Sequence, residues 1–240
     1  MRIRVALEHM IAVTYGITYD AVVTRFGPYE ALLEEVAALV ARSAPSADAR
    51  RSVKVLDIAS GIGNVGLRLA KGGYTVVGVD AVRHLVAIAK EKQHVAGALT
   101  NLSFHHLDIA HGPLPGAGTF DVLVSMHTLY WHPDPDTLLA ACRHALKPGG
   151  HGIFLTYGRS ARVARTFREV KAEEGTGAAI RALRWLVPTM IFEWFRDCEH
   201  RYLSEAEFHA VLDRAGFDVL EGHRTFLAGL SHLAWVRARG

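Results

Sequence analysis

The sequence predicts an α/β fold: a doubly wound, mostly parallel sheet with helices on both faces, closed by an antiparallel hairpin. Three observations predict it. Between residues 53 and 158 short apolar runs alternate with helix-length amphipathic runs, which is the pattern of β–α–β units joined by right-handed crossovers. A glycine-rich turn, "VLDIASGIGNVG" from Val55 to Gly66, follows the first apolar run. The last two apolar runs, "FDVLEGHRTF" and "LSHLAWVRAR", are separated by a short Ala-Gly linker. That linker cannot hold a crossover helix, so the two strands pair antiparallel.

The elements follow in order. Residues 1–50 read as an N-terminal helical lid. In "YEALLEEVAALVAR", Leu32, Leu33, Val36, Ala37, Leu39 and Val40 recur at helical spacing before the loop "SAPSADAR". Residues 51–158 read as a Rossmann-like core. A strand from Val53 to Asp57 enters the glycine turn, and a helix starts near Asn64. "YTVVGVD", "LSFHHLD", "TFDVLVSMH" and "HGIFLTYG" are strands two to five. "AVRHLVAIAKEKQHV" and "PDTLLAACRHAL" are helices, and "LKPGG" is a turn into strand five. Residues 159–203 hold no strand pattern and read as a helical insert broken at Gly175-Thr176-Gly177 and at Pro188. Residues 204–240 add the helix "SEAEFHAVLDRAG" and the hairpin, completing the core.

Composition narrows the function classes. Of 240 residues, 50% are hydrophobic and 21% charged, as in ordinary globular chains, and a net charge of +3 is too small to point to a nucleic-acid partner. The two cysteines, Cys142 and Cys198, form neither a zinc pattern nor a disulfide framework, so no metal and a reducing, cytoplasmic setting are expected. Glu8 and His9 interrupt the N-terminal apolar run, which argues against a secretory signal. No long uncharged apolar run predicts a membrane span.

The chemistry sits around the glycine turn. Gly61, Gly63 and Gly66 complete a G-x-G-x-x-G, and Asp80 follows Gly61 by 19 residues, where a ribose-binding acid belongs. By itself that motif allows a nicotinamide-dependent oxidoreductase. Three features argue otherwise. Asp57 ends its strand four residues before Gly61 and would repel a pyrophosphate, whereas it would welcome an ammonium group. The chain ends in a hairpin instead of a second mononucleotide-binding half. Asp108 closes the third strand, placed to accept from an exocyclic amine such as that of adenine.

With those residues in view, "VLDIASGIGNVGLRLA", "VVGVDAV", "HLDIAHGPLP" and "FDVLVSMHTLYWHPDPDTLLAACRHALKPGG" resemble the successive motifs of class I S-adenosylmethionine (SAM)-dependent methyltransferases, in the small-molecule, ubiquinone-biosynthesis-like branch. The likeness covers residues 50–158, and "LSEAEFHAVLDRAGFDVL" resembles the family's last helix and sixth strand. It implies SAM as cofactor and S-adenosylhomocysteine (SAH) as product. It implies that Ala59, Ser60, Gly61 and Gly63 approach the methionine part, where Ala59-Ser60 departs mildly from the family's more frequent Gly-x-Gly or Gly-Cys. Asp57 would serve the ammonium group and Asp80 the ribose hydroxyls. Asp108 would take the adenine amine, with Ile109 and Ala81 or Val82 on the ring faces. Ser125 would end strand four beneath the sulfonium, and an aromatic from the N-terminal lid (Tyr15, Tyr19 or Phe26) would close over it.

Methyl transfer from a sulfonium needs alignment more than acid–base help, and a base is required only where the nucleophile must lose a proton. His127 and His132, in "SMHTLYWHPDP", are the candidates; a loop or structural role is the plain alternative in a chain with 14 histidines. In the insert, Arg159, Arg162, Arg165 and Arg168 recur every three residues and read as a solvated face, or as a contact for an anion or a membrane surface. The run with Trp185, Met190, Ile191, Phe192, Trp194 and Phe195 suggests a greasy pocket wall, the insert's own core, or a homodimer interface. The expected function is methylation of a small, largely apolar acceptor, oxygen first, in secondary metabolism. The rivals are a SAM-binding protein without methyl transfer (a cyclase, decarboxylase or regulatory subunit), an RNA methyltransferase and an oxidoreductase.

Overall fold

The computed structural model of the chain describes residues 26–44, 46–110, 112–196 and 201–240. The helices are α1 (Gly27–Ala41), α2 (Ala47–Ser52), α3 (Asn64–Lys71), α4 (Arg83–Val95), α5 (Pro135–Ala145), α6 (Val163–Glu174), α7 (Thr176–Arg196) and α8 (Glu205–Arg214). The strands are β1 (Lys54–Ile58), β2 (Thr75–Asp80), β3 (Leu102–His106), β4 (Phe120–Met126), β5 (Leu146–Tyr157), β6 (Phe217–Thr225) and β7 (Ser231–Ala238). They form one sheet in the order β3-β2-β1-β4-β5-β7-β6. The first five run parallel, and β7 lies antiparallel between β5 and β6. The strand order reverses direction between β1 and β4, and ligands bind outside the carboxyl ends of strands at such a switch point.

Burial follows the two-residue period of the strands. Val55, Val122, Val124, Ile153 and Leu155 pack on the face covered by α1, α3 and α7. Their neighbours Leu56, Ile58, Leu123 and Phe154 pack on the face covered by α5 and α8. These side chains are essentially inaccessible, so truncating one of the leucines to alanine costs about 2–5 kcal/mol. The helices start on recognisable caps. Asp134 accepts from the Thr137 amide ahead of Pro135, and Ser204 with Glu207 forms a reciprocal capping box on α8.

Three local expectations need correction. The "LKPGG" segment is not a turn before strand five but lies within β5: pairing with β4 jumps from Phe120↔Leu146 to Val122↔His151, leaving a bulge. Pro188 does not break the insert, since α7 runs through it, held by the buried Trp185, Leu186 and Thr189 on either side. The break falls at Gly175 alone, whose φ of 89° separates α6 from α7. Asp108 lies beyond β3, in the loop that follows.

Candidate active site

The glycine turn after β1 bends through three left-handed residues, Ala59 (φ 50°), Gly61 (φ 54°) and Gly63 (φ 81°). It is tied to β2 by the Ser60 amide on the Val79 carbonyl (3.0 Å) and by the Gly61 amide on Asp80 Oδ2 (2.8 Å). The other Asp80 oxygen accepts from the Val82 amide at 2.8 Å. Burial pushes the Asp80 carboxyl up, against these two amides and the charge of His106, which pull it down.

A cavity of about 380 Å³ opens at this end of the sheet. One side carries Asp57, Ala59, Ser60, Gly61, Asp80, Ala81, Asp108 and Ile109, so the turn and its three carboxylates meet in one space. Val82 and Leu85 add apolar surface beside Ile109. Asp57 is 2% exposed, and burial first, with Asp80 adding to it, pushes its carboxyl up to about 8; an amide from Gly66 opposes the shift. Asp57 Oδ2 has no hydrogen-bond partner among the described residues. A buried, unpartnered carboxylate oxygen on a residue that lines a cavity fits a ligand that brings a cation and an N–H donor.

The other side of the cavity is aromatic. Tyr29 of α1, Tyr130 and Trp131 of the β4–α5 loop, Tyr157 at the end of β5 and Trp185 of α7 line it with Met126, His127 and His132. Trp185 Nε1 donates to Tyr157 Oη at 3.1 Å, and Tyr29 stacks on Trp185 with centroids 6.1 Å apart. His127 sits where β4 ends, in a left-handed conformation (φ 56°), with its ring stacked on Tyr157 at 4.1 Å. Part of the residue meets solvent, but both ring nitrogens are buried and unpartnered, and burial lowers its pKa to about 3. The imidazole is therefore neutral at ordinary pH and accepts on one nitrogen while donating on the other.

His132 differs. Its Nδ1 lies 2.5 Å from the Asp134 carbonyl and its Nε2 3.3 Å from the Ile109 carbonyl. Those contacts brace the β4–α5 loop against the Asp108–Ala110 segment, while His132 also lines the cavity. Ser125 is fully buried and does not reach the cavity. The two-residue period explains this: Val124 and Met126 face the cavity side, so Ser125 faces the opposite layer. Gly63 does not line the cavity either; a Cβ there would stand 2.6 Å from Phe104 Cζ, so the glycine makes room for β3. Tyr15 and Tyr19 lie outside the described residues, while Phe26 is buried against Trp185 (6.1 Å, stacked), behind the cavity.

Of the insert arginines, Arg159 and Arg165 converge on Glu169, and Arg162 leads into α6 (φ 36°). Among the described residues no cluster suits a metal ion, and no helix is long and apolar enough to cross a membrane. Sequence reasoning missed Tyr29, Tyr130, Trp131 and Tyr157. Tyr157 carried a usable signal, since it ends a parallel strand at the sheet edge where ligands bind.

Residues 28–221 match a family model described as a methyltransferase domain. A ubiquinone biosynthesis O-methyltransferase of Cronobacter sakazakii is 32% identical over 169 residues, covering 67% of this chain and 68% of that protein. One from Vibrio parahaemolyticus is 34% identical over 116 residues, and the match spans 48% of either chain, about half the length of that relative. Among solved structures, a magnesium protoporphyrin IX methyltransferase from Synechocystis PCC 6803 with bound SAH superposes with a TM-score of 0.61 at 17% identity, over 88% of this chain and 84% of that one. A SAM-dependent methyltransferase from Aquifex aeolicus gives 0.59 at 18% identity, over 88% and 89%. A [4+2]-cyclase gives 0.60 at 18%, over 85% and 80%. These structural likenesses establish the shared fold alone.

Proposed function

The chain belongs to the class I SAM-dependent methyltransferase family, whose cofactor is SAM, and from that premise we propose that it methylates an oxygen of a small, largely apolar acceptor. One observation carries the proposal. Asp57, with one unpartnered carboxylate oxygen, and His127, with both ring nitrogens unpartnered, line one cavity, acidic at one end and aromatic at the other.

SAM supplies an electrophilic methyl on a sulfonium, displaced in line with a neutral thioether as leaving group. Asp57 holds the ammonium group, and the turn from Ala59 to Gly61 brings backbone close to the amino-acid part. Asp80 keeps one lone pair per oxygen after its two backbone bonds, enough for the ribose hydroxyls. Asp108 accepts from the adenine amine, with the ring between Ile109 and Ala81 or Val82. The aromatic wall excludes water and orients an apolar acceptor. His127 accepts the acceptor's hydroxyl proton as the sulfonium charge disappears, so the cavity's net charge does not change. Its stacking on Tyr157 then offers the new imidazolium a π face.

The test is calorimetry with SAM, SAH and NADH, followed by an acceptor screen read as SAH release. Micromolar binding of SAM and SAH without NADH binding is expected, with turnover of hydroxylated apolar acceptors. NADH binding would overturn the cofactor assignment. SAM binding with no SAH formed from any acceptor would move the protein to the cyclase, decarboxylase or regulatory class.

A further inference from the structure

Helix α7 is apolar on two opposite sides. Ala179, Ala182, Trp185, Leu186 and Thr189 are buried against the core and the cavity. On the outside, Ile180 (58% exposed), Val187 (37%), Ile191 (48%) and Trp194 (80%) fall within about 60° of arc at 100° per residue. Met190, 44% exposed, widens the stripe on one side. Arg184, exposed, borders it on the other, and Arg181, also exposed, stands about 60° further round the helix, at a groove that Glu35, Glu173 and Glu174 also line. A helix with a single apolar face needs only the core; this one presents a second face to water.

Charge and area together select what covers it. Residues 159–196 carry eight Lys and Arg against four Asp and Glu, more net positive charge than the whole chain's +3. The stripe measures about 21 Å by 10 Å, roughly 200 Å². A stable protein partner, including a second copy of this chain, buries about 800 Å² per side. A two-fold copy packed with its helix antiparallel would also set the arginine edges against each other. A lipid surface demands no such area or shape match. It takes up Ile, Met and Trp side chains to the depth of the headgroups, while the arginines extend along the stripe to phosphates.

We propose that the outer face of α7 seats the protein on the surface of an anionic phospholipid bilayer, lying on the membrane without crossing it. This goes beyond the methyltransferase reading and does not depend on the acceptor atom.

The experiment is co-sedimentation of the full chain with phosphatidylcholine vesicles, with or without about a third phosphatidylglycerol. Wild type is expected to sediment with the anionic vesicles, weakly with phosphatidylcholine alone, and less at high salt. Val187→Glu/Ile191→Glu, and separately Arg181→Glu/Arg184→Glu, should each weaken vesicle binding roughly tenfold or more. SAH affinity, measured alongside, should stay at the wild-type value in both, showing a folded protein. Absence of anionic preference, or binding unchanged in both variants, overturns the proposal. So does a wild-type dimer on light scattering that Val187→Glu/Ile191→Glu converts to monomer, because the stripe is then covered by a second copy.

Discussion

The Gly61 amide donates to Asp80 Oδ2 at 2.8 Å, so the acid that ends β2 also holds the glycine turn that follows β1. One carboxylate thus shapes the turn and lines the cavity. The two roles predict two losses from one substitution.

Asp80→Ala should weaken SAH binding at least tenfold, since hydrogen bonds to a charged group contribute about 1.5–3 kcal/mol. It should also lower the melting temperature, because the Gly61 and Val82 amides lose their acceptor. Asp80→Asn keeps one acceptor oxygen and should fall between. Calorimetry and thermal melts check both. Wild-type SAH affinity in Asp80→Ala would remove Asp80 from the cofactor site.

Asp57 should release a proton when the cofactor binds. With its carboxyl pushed up to about 8 by burial, the free protein holds Asp57 mostly protonated at neutral pH. An ammonium ligand favours the carboxylate and drives the proton out. Near pH 7, calorimetry in two buffers of different ionisation enthalpy should approach one proton released per SAH bound. Asp57→Asn should abolish the release and weaken binding. The sign for stability is opposite to that of a paired surface acid. The unfolded chain loses this proton near 3.8 and the folded chain near 8, so the free protein loses stability as pH rises between them. Asp57→Asn should therefore melt higher than wild type at about pH 8, and the difference should shrink toward about pH 4. A pH-independent difference would mean that Asp57 is hydrated in the folded protein.

His127 is predicted to work as a neutral base across the whole neutral range. Its pKa is lowered to about 3, so the unprotonated ring prevails everywhere above that value. At saturating SAM, kcat should show no acid limb near the ordinary histidine value of about 6.5. His127→Ala should cost about 10²–10⁴ in kcat on hydroxyl acceptors while leaving SAH affinity within about threefold. An acid limb near 6.5 that vanishes in the variant would show a solvated, ordinarily titrating imidazole.

The β1-to-α3 turn, the parallel core and the final hairpin were legible because each is written in local sequence: alternation, glycines and a short linker. Asp57 and Asp80 are legible because a strand end and motif spacing place them, and Asp108 only approximately, since it lies in the loop after β3; all three line the cavity. Other features depended on tertiary packing. Pro188 looks like a break, yet the buried residues around it keep α7 continuous. His132 and His127 are indistinguishable by composition. Only the fold gives one ring two carbonyl contacts and leaves the nitrogens of the other without a hydrogen bond. Ser125 lies near the end of β4, as the spacing predicts, but on the face turned from the cavity, because successive strand residues alternate faces.

Gly63 and Gly66 should behave differently although one motif contains both. Gly63 has φ 81°, and a Cβ there would stand 2.6 Å from Phe104 Cζ and 3.0 Å from Ala89 Cβ. Gly66 lies inside α3, and its nearest contacts would be 3.2 Å from Phe104 and 3.3 Å from Leu102. Alanine at Gly63 therefore meets left-handed strain of about 1–2 kcal/mol and overpacking of about 1–3 kcal/mol. At Gly66 it meets only the tight fit, offset in part by alanine's better helix propensity. For a chain of this size each kcal/mol moves the melting temperature by about 2–4 °C, so Gly63→Ala should melt several degrees below Gly66→Ala. Phe104→Leu added to Gly63→Ala should return part of the loss, because it relieves the crowding and leaves the backbone strain. If Gly63→Ala and Gly66→Ala melt together, the glycine at 63 serves ligand approach instead of the seat for Phe104, and SAH affinity should then be what Gly63→Ala lowers.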